Sequence, residues 1–175
     1  INYIPPRVKI EISCLSMDEP TELRQIRSLI GESFDGEDTD TESLVRTVVP
    51  TRTFLEKLFL LAEEFQKEKP RSVRMSRHLY DLEKLMDTEY GEEALSNRTL
   101  YDAIVEHRKA YYALKYVNYD LHAPSTINFT IPESAMEAWQ DDYADMRRFF
   151  IYGESLEFDK LMYRIEELQK RVKMM

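Results

Sequence analysis

A chain of 175 residues, 43% hydrophobic and 33% charged, has enough apolar material for a buried core and excludes wholesale disorder. Its formal net charge of −9 excludes a protein that coats nucleic acid through a general basic surface, while leaving room for a local phosphate site. With only 4 glycines and 7 prolines, and no apolar run of about 18 residues, the composition predicts long regular elements and no membrane span.

The chain opens INYIPPRVKI, which has neither the charged nor the apolar region of a signal peptide. Cys14 is the single cysteine and has no internal disulfide partner, so a reducing cytoplasm is the expected setting. Residues 7–14 alternate: Val8, Ile10, Ile12 and Cys14 fall on one face of a strand, with Arg7, Lys9, Glu11 and Ser13 on the other. Over 20–30, Leu23, Ile26 and Ile30 recur at helical spacing behind Pro20, which predicts a helix. The acidic stretch 31–43 reads as a loop, and the β-branched run Leu44–Val49, ended by Pro50, as a second strand.

From Thr51 the period becomes helical, with Phe54, Leu58, Leu61 and Phe65 in one stripe. A basic loop around Pro70 follows. A helix from about Ser76 to Met86 then buries Leu79, Leu82 and Met86, and another begins at a cap on Ser96 or Asn97. The segment Asn118–Thr130 is irregular, and helices over roughly 132–150 and 155–173 close the chain. On the last, Glu166–Lys170 and Glu167–Arg171 stand at i,i+4 spacing. The expected fold class is α+β, predominantly α: a short sheet followed by a helical bundle.

Four charged positions could carry chemistry. Lys9 and Glu11 project from the same strand face, and carboxylates on neighbouring strands are what a two-metal site, with ions about 3.5–4 Å apart, requires. An exposed Lys/Glu pair on a half-buried sheet reads the same way. Lys57, early in its helix, can pin a phosphate as a point charge, and Asp81 can orient that lysine or position a hydroxyl. A structural salt bridge between helices reads the same way. Residues 67–78 hold Lys67, Lys69, Arg71, Arg74, Arg77 and His78, opposed within the segment only by Glu68, an island that suits phosphate or an RNA backbone. His107, on an apolar stripe, reads as a core histidine, and His122 as a loop histidine without a partner at metal-ligand spacing. Tyr101, Tyr111, Tyr112, Tyr116 and Tyr119 are assigned to packing.

Taken in order, VKIEIS at 8–13, TRTFLEKL at 51–58 and SRHLYDLEKL at 76–85 resemble the latter part of the AbiEii/AbiGii nucleotidyltransferase toxins, of the DNA-polymerase-β-like superfamily. The resemblance runs from about residue 4 to residue 115. It implies that Glu11, with Lys9, matches the family's acidic strand and supplies a catalytic and metal-binding carboxylate. It further implies that Lys57 and Arg77 contact nucleotide phosphates, as does Lys9, and that Asp81 is a late catalytic acid. His78 departs from the family pattern, where an aspartate is common. The family's fold begins with a Gly-Ser turn leading into an Asp-x-Asp strand, and no such unit is present. Together with an initial Ile1, this gives the expectation of a C-terminal portion. Residues 1–50 would then be the C-terminal part of a nucleotidyltransferase core and 51–175 a helical C-terminal domain, with the chain inactive on its own. The implied activity is transfer of a nucleotide from an NTP to an acceptor, RNA in some members, with Mg2+ expected only alongside the preceding segment. The implied setting is toxin–antitoxin or phage defence by abortive infection. The alternative is a non-enzymatic helical module that binds a partner protein or RNA through the 67–78 island or the last two helices. Convergence of Glu11, Lys57 and Asp81 on one cleft would discriminate the two.

Overall fold

The computed structural model describes residues 10, 12, 21–34 and 42–175. Within them the fold is α+β and predominantly α, a two-stranded antiparallel sheet followed by a helical bundle. The strand expected over 7–14, with Lys9 and Glu11, lies outside the described residues, Ile10 and Ile12 apart.

Strand β1 (Thr21–Arg27) pairs antiparallel with β2 (Glu42–Val48), from Thr21 opposite Val48 to Arg27 opposite Glu42. This corrects the helix expected over 20–30. Leu23 and Ile26 do stand at helical spacing, but residues 21–27 hydrogen-bond to a strand beyond the acidic stretch, and local periodicity cannot report such a partner. A short helix α1 (Leu29–Ser33) follows, and the Ser28 hydroxyl caps it by accepting from the Gly31 amide at 2.9 Å. The ends of the expected 31–43 loop therefore belong to α1 and β2. Arg24 ties the sheet toward the bundle by donating to the Tyr90 hydroxyl at 3.2 Å.

Helix α2 (Pro50–Glu64) starts with proline in its first turn, where a missing N–H costs nothing. Its Phe54, Leu55, Leu58, Phe59 and Leu61 are all fully buried, so α2 is wrapped by its neighbours on more than one side. It packs against α3 (Ser76–Leu85), α4 (Glu89–Ser96) and α5 (Arg98–His107), and α3 in turn packs against α6 (Met136–Phe149) and α7 (Phe158–Lys173). The core continues through Leu79, Leu82, Met86, Ile104, Trp139, Leu161, Ile165 and Leu168. Each such side chain contributes about 1.5–3 kcal/mol by leaving water. Phe65 closes the end of α2 on Trp139, ring centroids 4.9 Å apart. Among the described residues no helix is long and apolar enough to cross a membrane.

Helix α4 has no counterpart in the sequence expectations. It carries little apolar signal, with only Gly91 and Ala94 buried, and is started by the Thr88 side chain. Gly91 lets it close onto the end of α3: a Cβ there would lie 2.3 Å from the Leu85 carbonyl oxygen and 2.9 Å from Met86 backbone atoms. Backbone cannot yield as a side-chain tip can. Gly91→Ala is expected to destabilise by about 1–3 kcal/mol despite its better helix propensity. Urea unfolding measures this, and an unchanged midpoint would show that α4 can move away freely.

The i,i+4 pair expected between Glu167 and Arg171 is also corrected. Arg171 bonds Asp87, just past α3, at 2.9 Å, while Glu167 accepts from Arg164 at 2.5 Å. Asp87 takes Arg164 as well, so one exposed carboxylate fastens two arginines of α7.

Candidate functional site

Lys57 and Asp81 meet. Lys57 lies on the side of α2 that carries Phe54 and Leu61, and Asp81 lies mid-way along α3. Their Nζ and Oδ2 atoms are 2.7 Å apart, with the side chains 22% and 37% exposed. An ion pair with that much water contributes at most about 1 kcal/mol to stability. Its value is positional: two packed helices hold an ammonium at a fixed point, and one proton of three bonds Asp81, leaving the others for a ligand.

The first turn of α3 is built from a distance. Met75 offers no side-chain cap, and Asp142 of α6, only 9% exposed, takes that role. Its Oδ1 accepts from the Arg74 amide at 2.5 Å, and its Oδ2 from the Ser76 amide at 3.0 Å and the Ser76 hydroxyl at 2.5 Å. Arg74 adopts a left-handed backbone, φ 60°, to make this turn.

His78, one turn before Asp81 and only 8% exposed, lies in that first turn. Its Nδ1 is buried with no hydrogen-bond partner among the described residues. Burial pushes its pKa down to about 3, and the nearby Lys57, Arg77 and Arg71 cations push the same way. The imidazole is therefore neutral at physiological pH, and adds no charge to a face formed by Lys57, Asp81 and Arg77. Arg77 is half-buried and has no carboxylate partner among the described residues.

The basic island is less free than its sequence implies. Glu64, 3% exposed, accepts from the Arg71 amide at 2.7 Å, from the Arg71 guanidinium at 3.0 and 3.2 Å, and from Lys67 at 2.7 Å. Burial opposes the Glu64 charge, but these bonds win and lower its pKa. Glu68 is therefore not the only acid opposing the island: Glu64 neutralises part of it from α2, and Asp142 fixes its backbone.

Sequence reasoning missed a second polar cluster, on the other side of α2. Arg52, Glu56, Phe59 and Glu63 share a stripe there, and Arg108 meets it from a π-helical turn, Arg108–Tyr112, that extends α5. Arg108 forks onto Glu63, Nε to Oε1 at 2.7 Å and Nη2 to Oε2 at 2.5 Å, and also bonds Glu56, which accepts from Arg52 at 2.7 Å. Burial lowers the Arg108 pKa, but Glu63 and Glu56 outweigh it and raise it. His122 is fully buried here, 3.9 Å from Glu63 and stacked on Phe59 at 5.7 Å. Burial keeps its pKa low. The histidine read as a loop residue is thus a core one, while His107 is only half-buried, stacked on Tyr111. The signal for the cluster was the i,i+4,i+7,i+11 recurrence of Arg52, Glu56, Phe59 and Glu63, masked because charged residues read as solvent-facing.

Of the expected site residues, the fold brings Lys57 and Asp81 together with Arg77 and His78 beside them; Lys9 and Glu11 lie outside the described residues. An open cavity of about 350 Å³ is lined by Leu156, Asp159, Lys160, Tyr163 and Arg164, none of them a residue of this site. The family model described as "Nucleotidyl transferase AbiEii toxin, Type IV TA system" matches residues 1–164. No curated protein and no solved structure gives a match.

Proposed function

The chain belongs to the AbiEii nucleotidyl transferase toxin family, and from that premise we propose that its α2–α3 face holds the phosphates of an NTP whose nucleotide is transferred to an RNA acceptor. The family suggests nucleotidyltransferase toxin activity, and the observation that carries the reading to particular residues is the half-exposed Lys57–Asp81 pair. Lys57 donates its spare protons to phosphate oxygens as a point charge. Asp81 orients the ammonium, and its carboxylate is available to accept the proton of an incoming hydroxyl. Arg77 adds a second cation for the phosphates, and neutral His78 leaves their combined field undiminished.

Nucleotidyltransferases of this kind generally use a divalent metal, which neutralises the triphosphate and activates the attacking hydroxyl. We propose Mg2+, with Glu11 among its ligands. Among the described residues no group of three or more His, Cys, Asp or Glu is placed to hold a metal ion, so they do not fit the ion by themselves. The roles assigned here belong to Lys57, Asp81, Arg77 and His78 alone. Cytoplasmic action is proposed from the lone Cys14.

The test is transfer of radiolabel from α-labelled NTPs to total RNA by the protein carrying this chain. Lys57→Ala and Asp81→Asn are each expected to reduce labelling about a hundredfold with unchanged circular dichroism, a loss typical of removing one preorganised electrostatic contact. Full labelling by both variants would show that the pair is structural and that the site lies elsewhere.

A further inference from the structure

The fold sets two basic segments, distant in sequence, side by side. Residues 107–119 read His-Arg-Lys-Ala-Tyr-Tyr-Ala-Leu-Lys-Tyr-Val-Asn-Tyr, with no Asp or Glu, in a chain whose net charge is −9. The loop after α2, which carries Lys67, Lys69 and Arg71, lies against them. Lys67 Nζ sits 5.1 Å over the Tyr116 ring, and the Asn118 amide donates to Gln66 Oε1 at 2.7 Å. Glu64 is one carboxylate shared by Lys67 and Arg71, so the loop keeps an excess of positive charge at this edge.

The segment is also held in an unusual shape. Arg108–Tyr112 form a π-helical turn, ended by Ala113 in the left-handed region at φ 44°. Such turns are uncommon and recur at functional sites. The buried Arg108–Glu63 fork anchors the turn to α2, and the residues around it face outward. Tyr111 is 67% exposed, stacked on His107 with centroids 4.7 Å apart, and Tyr116 is 45% exposed. Lys109 and Lys115 flank them, exposed, and Lys69 is exposed on the neighbouring loop. The exposed acids Glu106 and Asp120 fall just outside the 107–119 segment, and exposed Glu68 lies within the loop between Lys67 and Lys69, where the three cations Lys67, Lys69 and Arg71 outnumber it.

Exposed tyrosine rings set among lysines, backed on one side by His107 or Lys67, suit a ligand that is both planar and polyanionic. A duplex keeps its bases stacked inside and offers only phosphates; an acidic peptide has charge without ring faces. An unpaired strand offers both. We propose that the surface formed by 107–119 and the 66–71 loop binds a single-stranded polynucleotide. Its bases stack on Tyr111 and Tyr116, and its phosphates meet Lys69, Lys109 and Lys115. This does not depend on the transfer reading, since Lys57 lies on a different side of α2 from Glu56 and Glu63, which anchor the segment.

The experiment is fluorescence anisotropy of the chain with labelled twelve-residue oligoadenylate, the matching deoxy strand and a twelve-base-pair duplex in low salt. Tighter binding of either single strand than of the duplex is expected, and the two strands show which sugar is preferred. Tyr111→Ala and Tyr116→Ala should each weaken it roughly tenfold, and Tyr111→Phe should not. The double change Lys109→Gln with Lys115→Gln should weaken it and reduce the salt dependence by about two phosphate contacts. Lys57→Ala should leave it unchanged, which separates this surface from the proposed transfer site. Absence of binding would overturn the proposal. So would equal binding of duplex, insensitivity to both tyrosine changes, or displacement of the strand by an equal charge of polyglutamate.

Discussion

Replacing Arg108 with alanine is expected to destabilise the protein by about 3–5 kcal/mol, the range found when one partner of a buried ion pair is removed. Arg108 and Glu63 are each 4% exposed, and the guanidinium supplies both of Glu63's close hydrogen bonds. Without it, Glu63 is a carboxylate shut away from water, with Glu56 beside it and buried His122 3.9 Å away as its nearest substitute. Arg108→Lys keeps the charge but not the fork, so it should recover only part of the loss. The double change Arg108→Met with Glu63→Gln removes both charges and should recover most of it, because the alternating Arg52–Glu56–Arg108–Glu63 chain is itself neutral. Urea unfolding near pH 7 gives these differences. A loss below about 1 kcal/mol for Arg108→Ala would mean that water reaches Glu63.

Acidification should unfold the protein through His78. Its folded-state pKa is about 3 against an ordinary 6.5, so between those values the unfolded chain binds a proton that the folded one refuses. Stability is then complete above pH 6.5 and falls as the pH drops toward 3. The His78 contribution lost between pH 7 and pH 5 is about 2 kcal/mol, with a ceiling of about 5 kcal/mol below pH 3. The upper window is informative because carboxylates such as Glu64 have not begun to titrate there. His122, also shifted down by burial, adds a slope of the same sign but is common to both proteins compared. His78→Gln should flatten the stability–pH curve relative to the parent over pH 7 to 5. Parallel curves would place the imidazole in contact with solvent.

The helices were legible in the sequence wherever one face is apolar: the Phe54–Leu58–Leu61–Phe65 stripe, the Leu79–Leu82–Met86 stripe and the Leu161–Ile165–Leu168–Val172 stripe are the buried faces of α2, α3 and α7. Where the deciding contact is far away, the sequence misleads. Leu23 and Ile26 suggest a helix because their partners on β2 are invisible locally. Helix α4 escapes notice because Gly91 contributes closeness rather than hydrophobicity. The site divides in the same manner. Lys57 and Asp81 drew attention through a resemblance, and their contact needed the packing of α2 on α3. Glu63 and Arg108 gave no signal and His122 read as a loop histidine, since charge and a loop position both argue for solvent until a partner from another helix is known. The tyrosines assigned to packing also divide: Tyr101 is fully buried, whereas Tyr111 stands open.

The Asp142 cap reaches Ser76 across 66 residues of chain. During synthesis, α2 and α3 leave the ribosome well before α6, and until Asp142 arrives the opening amides of α3 have no carboxylate to accept them. The turn bearing Arg77 and His78 is therefore among the last parts of the molecule to be set. A nascent chain carries these two side chains on an unfastened turn until α6 has emerged.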